Sequence, residues 1–170
     1  MPMTPFVEKF RELGVRETRS VIINGMPGLP DGEYGFFEFY CNEPGCDCRR
    51  VIILVFRPDT GWGKTLATIS YGWESADFYR KRVGPLMDPA ETQGPALDPL
   101  NAQSDCSPAL LGLFRSMIQS PEYVARLKRH YQMFRATVDG VSSRNPREQT
   151  NQLSKRRKRL RDPRRRGKHG

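Results

Sequence analysis

The stretch Glu33-Tyr34-Gly35-Phe36-Phe37-Glu38-Phe39-Tyr40-Cys41 reads as a β-strand, and Arg50-Val51-Ile52-Ile53-Leu54-Val55-Phe56-Arg57 reads as a second. Aromatic and β-branched residues dominate both, a composition that suits a pleated, half-buried surface. Between them lies Asn42-Glu43-Pro44-Gly45-Cys46-Asp47-Cys48-Arg49, with a Pro-Gly pair to turn the chain back. An antiparallel hairpin follows, carrying Cys41, Cys46 and Cys48 at Cys-x4-Cys-x-Cys spacing around its connection.

Working outward, Pro58-Asp59-Thr60-Gly61 is a turn, and Lys64 to Tyr71 alternates loosely as a third strand. Arg19 to Asn24 is a plausible short strand upstream, set off by a loop rich in Gly and Pro. Short connections favour pairing of consecutive strands, so the sheet is predicted to be a meander of three to four strands. Helices surround it. Thr4-Pro5 opens a first helix with Phe6, Val7, Phe10 and Leu13, closed by Gly14, and Ser75 caps a second from Ala76 to Val83. Ser107-Pro108 and Ser120-Pro121 each start a further one. Leu127, Tyr131 and Phe134 share one face of the last, and Arg126, Lys128, Arg129 and Arg135 lie mostly on the other. Gly84 to Asp105, with four prolines, is too poor in periodicity for either element and reads as a packed or functional loop. The fold class is α+β: an antiparallel β-meander packed with C-terminal helices and bearing a zinc-knuckle-like hairpin.

Charge divides the 170 residues unevenly. Twelve of the 28 lysines and arginines but only two of the 19 acids lie from Arg144 onward, leaving sixteen bases against seventeen acids before it. The net charge of +9 therefore describes the tail, while the body is about neutral. Apolar residues thin out after Val141, too few to offset the entropy of ordering. The organisation expected is one domain over 1–141 and a disordered basic tail over 142–170. Lys155, Arg156, Arg157, Lys158, Arg159, Arg161, Arg164, Arg165 and Arg166 form the core of that tail. Such a segment associates with RNA or DNA through counterion release, without sequence preference. A solvated tail or one that meets an acidic partner is the plainer alternative.

The first ten residues lack the basic region and continuous apolar run of a secretion leader. No stretch approaches the roughly 18 apolar residues of a membrane span. A reducing, cytoplasmic setting is expected, where clustered cysteines serve metals or redox chemistry more often than structural disulfides. Thiolates on a tight turn supply two or three ligands of a tetrahedral zinc site. Cys106, before a helix start, is the first candidate for the fourth ligand, His130 the second, and water or a carboxylate the third. Four thiolates would make a closed structural site; three would leave a position open for chemistry, with Asp98, Asp105 or His130 near it. A redox or zinc-sensing role for Cys46-x-Cys48 is a further alternative, although the helix N-terminal setting that usually activates such a thiol is missing.

Two tempting patterns fail on chemistry. Gly61-Trp62-Gly63-Lys64-Thr65 lacks the leading Gly of a phosphate-binding loop, since Pro58 stands there, and a strand rather than a helix follows. The aromatic run Tyr34 to Tyr40 carries Glu38 where an RNA-recognition strand needs an aromatic, so core packing explains it better. His130 reads more readily as a hydrogen-bonded histidine at the edge of the core than as a ligand.

Phe37 to Val51, with Ile69-Ser70-Tyr71-Gly72-Trp73 and Leu97 to Ser104, resembles an uncharacterised bacterial protein family with a Cys-x4-Cys-x-Cys hairpin. The resemblance covers roughly residues 18 to 135 and carries no activity across. It implies that Cys41, Cys46 and Cys48 are the signature, that Cys106 is incidental, and that Leu97 to Asn101 forms a defined loop near the hairpin. The expected function is a non-enzymatic, zinc-binding adaptor whose tail holds nucleic acid, with a metal-dependent enzyme or thiol sensor as the alternative.

Overall fold

The computed structural model describes residues 2–60, 64–82 and 88–140. In chain order its elements are β1 (Met3–Pro5), α1 (Phe6–Lys9), α2 (Arg11–Glu17), β2 (Arg19–Ile23), β3 (Gly32–Cys41), β4 (Arg50–Phe56) and β5 (Ala67–Gly72). Then come α3 (Ala76–Arg80), α4 (Pro89–Gln93), β6 (Ala96–Leu97), α5 (Ser107–Met117) and α6 (Pro121–Val138). A short 3₁₀ turn, Pro58–Thr60, follows β4.

The β3–β4–β5 meander forms the centre of the sheet, every pair antiparallel, as the hairpin reading required. The sheet grows to six strands because both edges acquire short additions. One edge of β3 is shared: β2 pairs with its first half, Arg19 opposite Phe36, and β1 with its end, Met3 opposite Cys41. At the far edge β6 adds Leu97 opposite Ile69. Strands of two or three residues have no periodicity to betray them, so neither β1 nor β6 shows in the sequence.

Alternation assigns the core. Tyr34, Phe36, Glu38 and Tyr40 of β3 share a face with Val51, Ile53 and Val55 of β4, and that face carries α5 and α6. Phe36 stacks on Phe114 of α5, and Tyr40 meets Tyr131 and Phe134 of α6. Both Ser-Pro starts are real. Ser120 accepts from the Tyr123 amide and caps α6, whereas α5 begins at Ser107 itself, with Cys106 in the cap position making no side-chain cap.

The N-terminal helix departs from expectation. It breaks at Phe10 into two short pieces, and Gly14 lies inside α2 rather than closing it. Packing explains the glycine: a Cβ there would sit 2.8 Å from the Val7 Cα, so only glycine lets the two helices approach so closely. The segment read as loop from Gly84 also holds structure. Asp88 caps the five-residue α4 by accepting from the Ala90 amide, with Pro89 at the first turn, and β6 follows. One helical turn is too short to show a 3.6-residue period. Residues 83–87 lie outside the described residues, as do 61–63.

Candidate metal centre

Cys41 ends β3 and is fully buried; Cys46 and Cys48 are partly exposed on the connection to β4. The loop folds as Pro44-Gly45 demands, with Gly45 at φ 73° and the Cys46 amide donating to the Glu43 carbonyl at 3.3 Å. A second reversal falls at Arg49, the one described non-glycine residue with positive φ, at 44°. That left-handed conformation costs a non-glycine residue of order 1 kcal/mol, and it persists here because the surroundings fix it. The Arg49 amide donates to the Tyr131 hydroxyl at 3.3 Å, and its carbonyl accepts from the Tyr79 hydroxyl at 2.7 Å. The two reversals bring the sulfurs of Cys41, Cys46 and Cys48 within 4.8 Å of one another.

The C-terminal half of α6 holds this loop in place. Arg135, buried, donates to the carbonyls of Cys41 at 3.0 Å and Glu43 at 2.9 Å, and to Asp139 at 2.6 Å. The Gly45 amide donates to the same Asp139 carboxylate at 2.9 Å. Asp47 points outward, as expected, and is paired with Arg49 and Arg82. Arg49 is further committed to Glu74, so of the two arginines flanking the cysteines only Arg50 makes no ion pair among the described residues. Arg50 and Arg82 wall a cavity of about 230 Å³ that also touches Cys46 and Cys48.

Left to themselves, the clustered thiols of Cys46 and Cys48 favour the protonated form. Burial pushes the Cys48 thiol up to about 12, with the neighbouring charges of Cys46 and Cys41 adding to it. Cys46 is raised by burial and then by Cys41. Two backbone amides oppose the rise: that of Cys48 acts on Cys46, and that of Arg50 on Cys48. Amides aimed at sulfur favour thiolate, but the net direction is upward, so a divalent ion is what would make three thiolates tenable together. The donor set fits a soft or borderline metal.

The two leading candidates for a fourth ligand lie elsewhere. Cys106 is outside the group of three, at the start of α5 with its sulfur 3.1 Å from the Ser104 hydroxyl. His130 is buried in a different array, its Nδ1 2.7 Å from Glu38 and its Nε2 2.9 Å from Glu17, with its ring stacked on Phe6 at 4.1 Å. Asp98 accepts from the Leu100 amide, and neither it nor the exposed Asp105 belongs to the cysteine group. Among the described residues the metal-ligating group closes at three.

No family model, curated protein or solved structure matches the chain. The case for a metal at the three cysteines therefore rests on their geometry. The loop from Leu97 to Leu100 does approach the hairpin, sharing a cavity of about 160 Å³ with Arg50. A strand, β5, follows Lys64 and Thr65, which removes the helix that a phosphate-binding loop would need. No described helix is long and apolar enough to cross a membrane. The basic residues from Lys155 to Arg166 lie outside the described residues.

His130 is hydrogen-bonded in the core, as its reading from the sequence has it, but its partners Glu17 and Glu38 were not foreseen. Tyr40 joins them, its hydroxyl 2.7 Å from Glu38 and 3.0 Å from the Leu127 carbonyl. Burial acts to raise the Glu17 carboxyl, yet the His130 hydrogen bond with Arg129 and Arg126 together hold it below its ordinary value. One signal was available: Glu38 is the single charged residue in an otherwise apolar half-strand, and a buried carboxylate must find a partner.

Proposed function

We propose that this chain is a zinc-binding module in which Cys41, Cys46 and Cys48 hold one zinc ion and the fourth position is taken from solvent on the side of the Arg50–Arg82 cavity. The observation that carries the reading is the approach of the three sulfurs to within 4.8 Å of one another. The ion would supply charge neutralisation for three thiolates and fasten the β3–β4 connection, while Arg135, Asp139 and Tyr131 orient the loop from α6. Hydrogen-bonding partners behind a ligating loop of this kind commonly shift metal affinity about 10–100-fold. The role is that of an adaptor and not a catalyst, with the basic tail supplying attachment to nucleic acid through charge alone.

Metal analysis of the reduced, purified protein with thiol titration tests the centre. One zinc per chain is expected, lost in Cys46→Ser and Cys48→Ser and retained in Cys106→Ser. Absence of metal under reducing conditions would defeat the proposal. A reversible Cys46–Cys48 disulfide in metal-free protein would replace it with a redox role. Loss of zinc in Cys106→Ser would make the site a closed one of four thiolates.

A further inference from the structure

The cavity of about 230 Å³ beside the cysteines offers far more space than one water needs. Cys46 and Cys48 border it and are partly exposed, whereas Cys41 is 0% exposed and does not line it. An ion held by all three sulfurs therefore has Cys41 behind it and its free side towards this space. Most polar side chains of the wall are already committed. Asp47 pairs with Arg49 and Arg82. Arg82 also donates to the Phe78 carbonyl at 3.3 Å and lies over the Phe78 ring at 3.6 Å. The Tyr79 hydroxyl donates to the Arg49 carbonyl at 2.7 Å, and the Thr92 hydroxyl to the Asp88 carbonyl at 3.1 Å.

Arg50 is the exception. It is half-buried, and its side chain makes no ion pair or hydrogen bond with a described residue. Its own backbone amide is aimed at the Cys48 sulfur. An uncommitted guanidinium and two sulfurs of the metal group thus share one wall. A guanidinium is a planar fork of N–H donors that matches a carboxylate. A fourth anionic donor would bring the ion to the charge of a closed site of four thiolates, one of the usual structural sets, and Arg50 stands beside it to offset that charge. Arg50 and Thr92 also border the neighbouring cavity of about 160 Å³, whose other charged residues are Asp88, Glu91 and Asp98. Three acids there oppose a polyanion.

We infer, on the zinc reading above, that the fourth position takes a small molecule bearing a single carboxylate, held jointly by the metal and the Arg50 guanidinium. A neutral donor would fill the position but leave Arg50 without a partner, and a polyanion would meet the acids next door. Arg82 contributes charge from the rim while remaining with Asp47.

The full-length protein, reduced and loaded with cobalt(II) in place of zinc, should be titrated with acetate and, separately, with the neutral donor imidazole, against chloride at matched ionic strength. The visible bands of cobalt report its fourth donor. At one cobalt per chain, acetate is expected to move them saturably. Arg50→Gln, compared at full cobalt occupancy, should weaken acetate roughly tenfold or more, the scale of losing a charge-assisted hydrogen bond, and change the imidazole response far less. Arg50→Lys keeps the charge without the fork and should fall between the two. Bands that acetate does not move at one cobalt per chain would overturn the inference and leave the zinc centre standing. So would bands moved by imidazole alone, or acetate binding equal in wild type and Arg50→Gln. A reduced protein that takes up neither zinc nor cobalt would overturn the zinc reading, and the inference with it.

Discussion

At the scale of single residues, His130 is the most exacting position in the core. It is 1% exposed, pinned between two carboxyl groups and stacked on Phe6. Glu38 is buried too, and among the described residues the Tyr40 hydroxyl is the one side-chain partner it would keep with His130 gone. Removing one partner of a buried hydrogen bond leaves the other unsatisfied, at about 1–3 kcal/mol for each group left so and more for a charged one. His130→Leu is therefore expected to destabilise by about 3 kcal/mol or more in chemical denaturation. Glu38→Leu combined with His130→Leu should cost less than the two single changes added together, since neither group is then left facing a lost partner. Simple additivity would show that the two residues do not act as a pair. Zinc content should be unchanged in all three variants, which separates this array from the cysteine centre.

At the scale of elements, the metal loop belongs as much to α6 as to the hairpin that carries it. Arg135 reaches from the helix to two loop carbonyls and to Asp139, which in turn holds the Gly45 amide. Arg135→Met keeps the length and apolar stem but removes every donor. Two backbone carbonyls then lose a charged partner, at roughly 1.5–3 kcal/mol for a hydrogen bond to a charged group. Zinc affinity is expected to fall about 10–100-fold with stoichiometry intact, measured by competition with a chelator. An affinity equal to wild type would mean the loop is held by its own turns alone. This coupling explains what the sequence displayed and what it hid. Cys41, Cys46, Cys48 and the Pro44-Gly45 turn are local, so the hairpin and its trio of thiols could be read from spacing. The partners Arg135, Asp139 and Tyr131 lie more than 80 positions away, and nothing local marks an arginine on the charged face, a tyrosine on the apolar face or an aspartate just past the helix end as belonging to the loop. Long strands and Ser-Pro helix starts were legible for the same local reason. Missed were β1, α4 and β6, and the two carboxylates that His130 meets, which come together only because α2, β3 and α6 converge.

At the scale of the whole molecule, the chain separates its charge from its fold. Residues up to 139 form one compact unit, and the excess of positive charge lies after it in the sequence. With sixteen bases against seventeen acids before Arg144, the body has no net attraction for a polyanion. Association with nucleic acid should thus be a property of the tail, and its strength should follow the number of phosphates neutralised. For duplex DNA the slope of log affinity against log salt is about −0.9 for each phosphate contacted, so a tail engaging several phosphates gives a steep dependence. Removing residues 142–170 is expected to abolish salt-sensitive binding of RNA and DNA while the truncated protein keeps its zinc and its melting temperature. Replacing Lys155, Arg156, Arg157, Lys158 and Arg159 with glutamine in the full chain should flatten the slope by several units without changing which sequences bind, because no base is being read. Binding that persists in the truncated protein at the same salt dependence would move the interface onto the folded body and end the tail's claim to it.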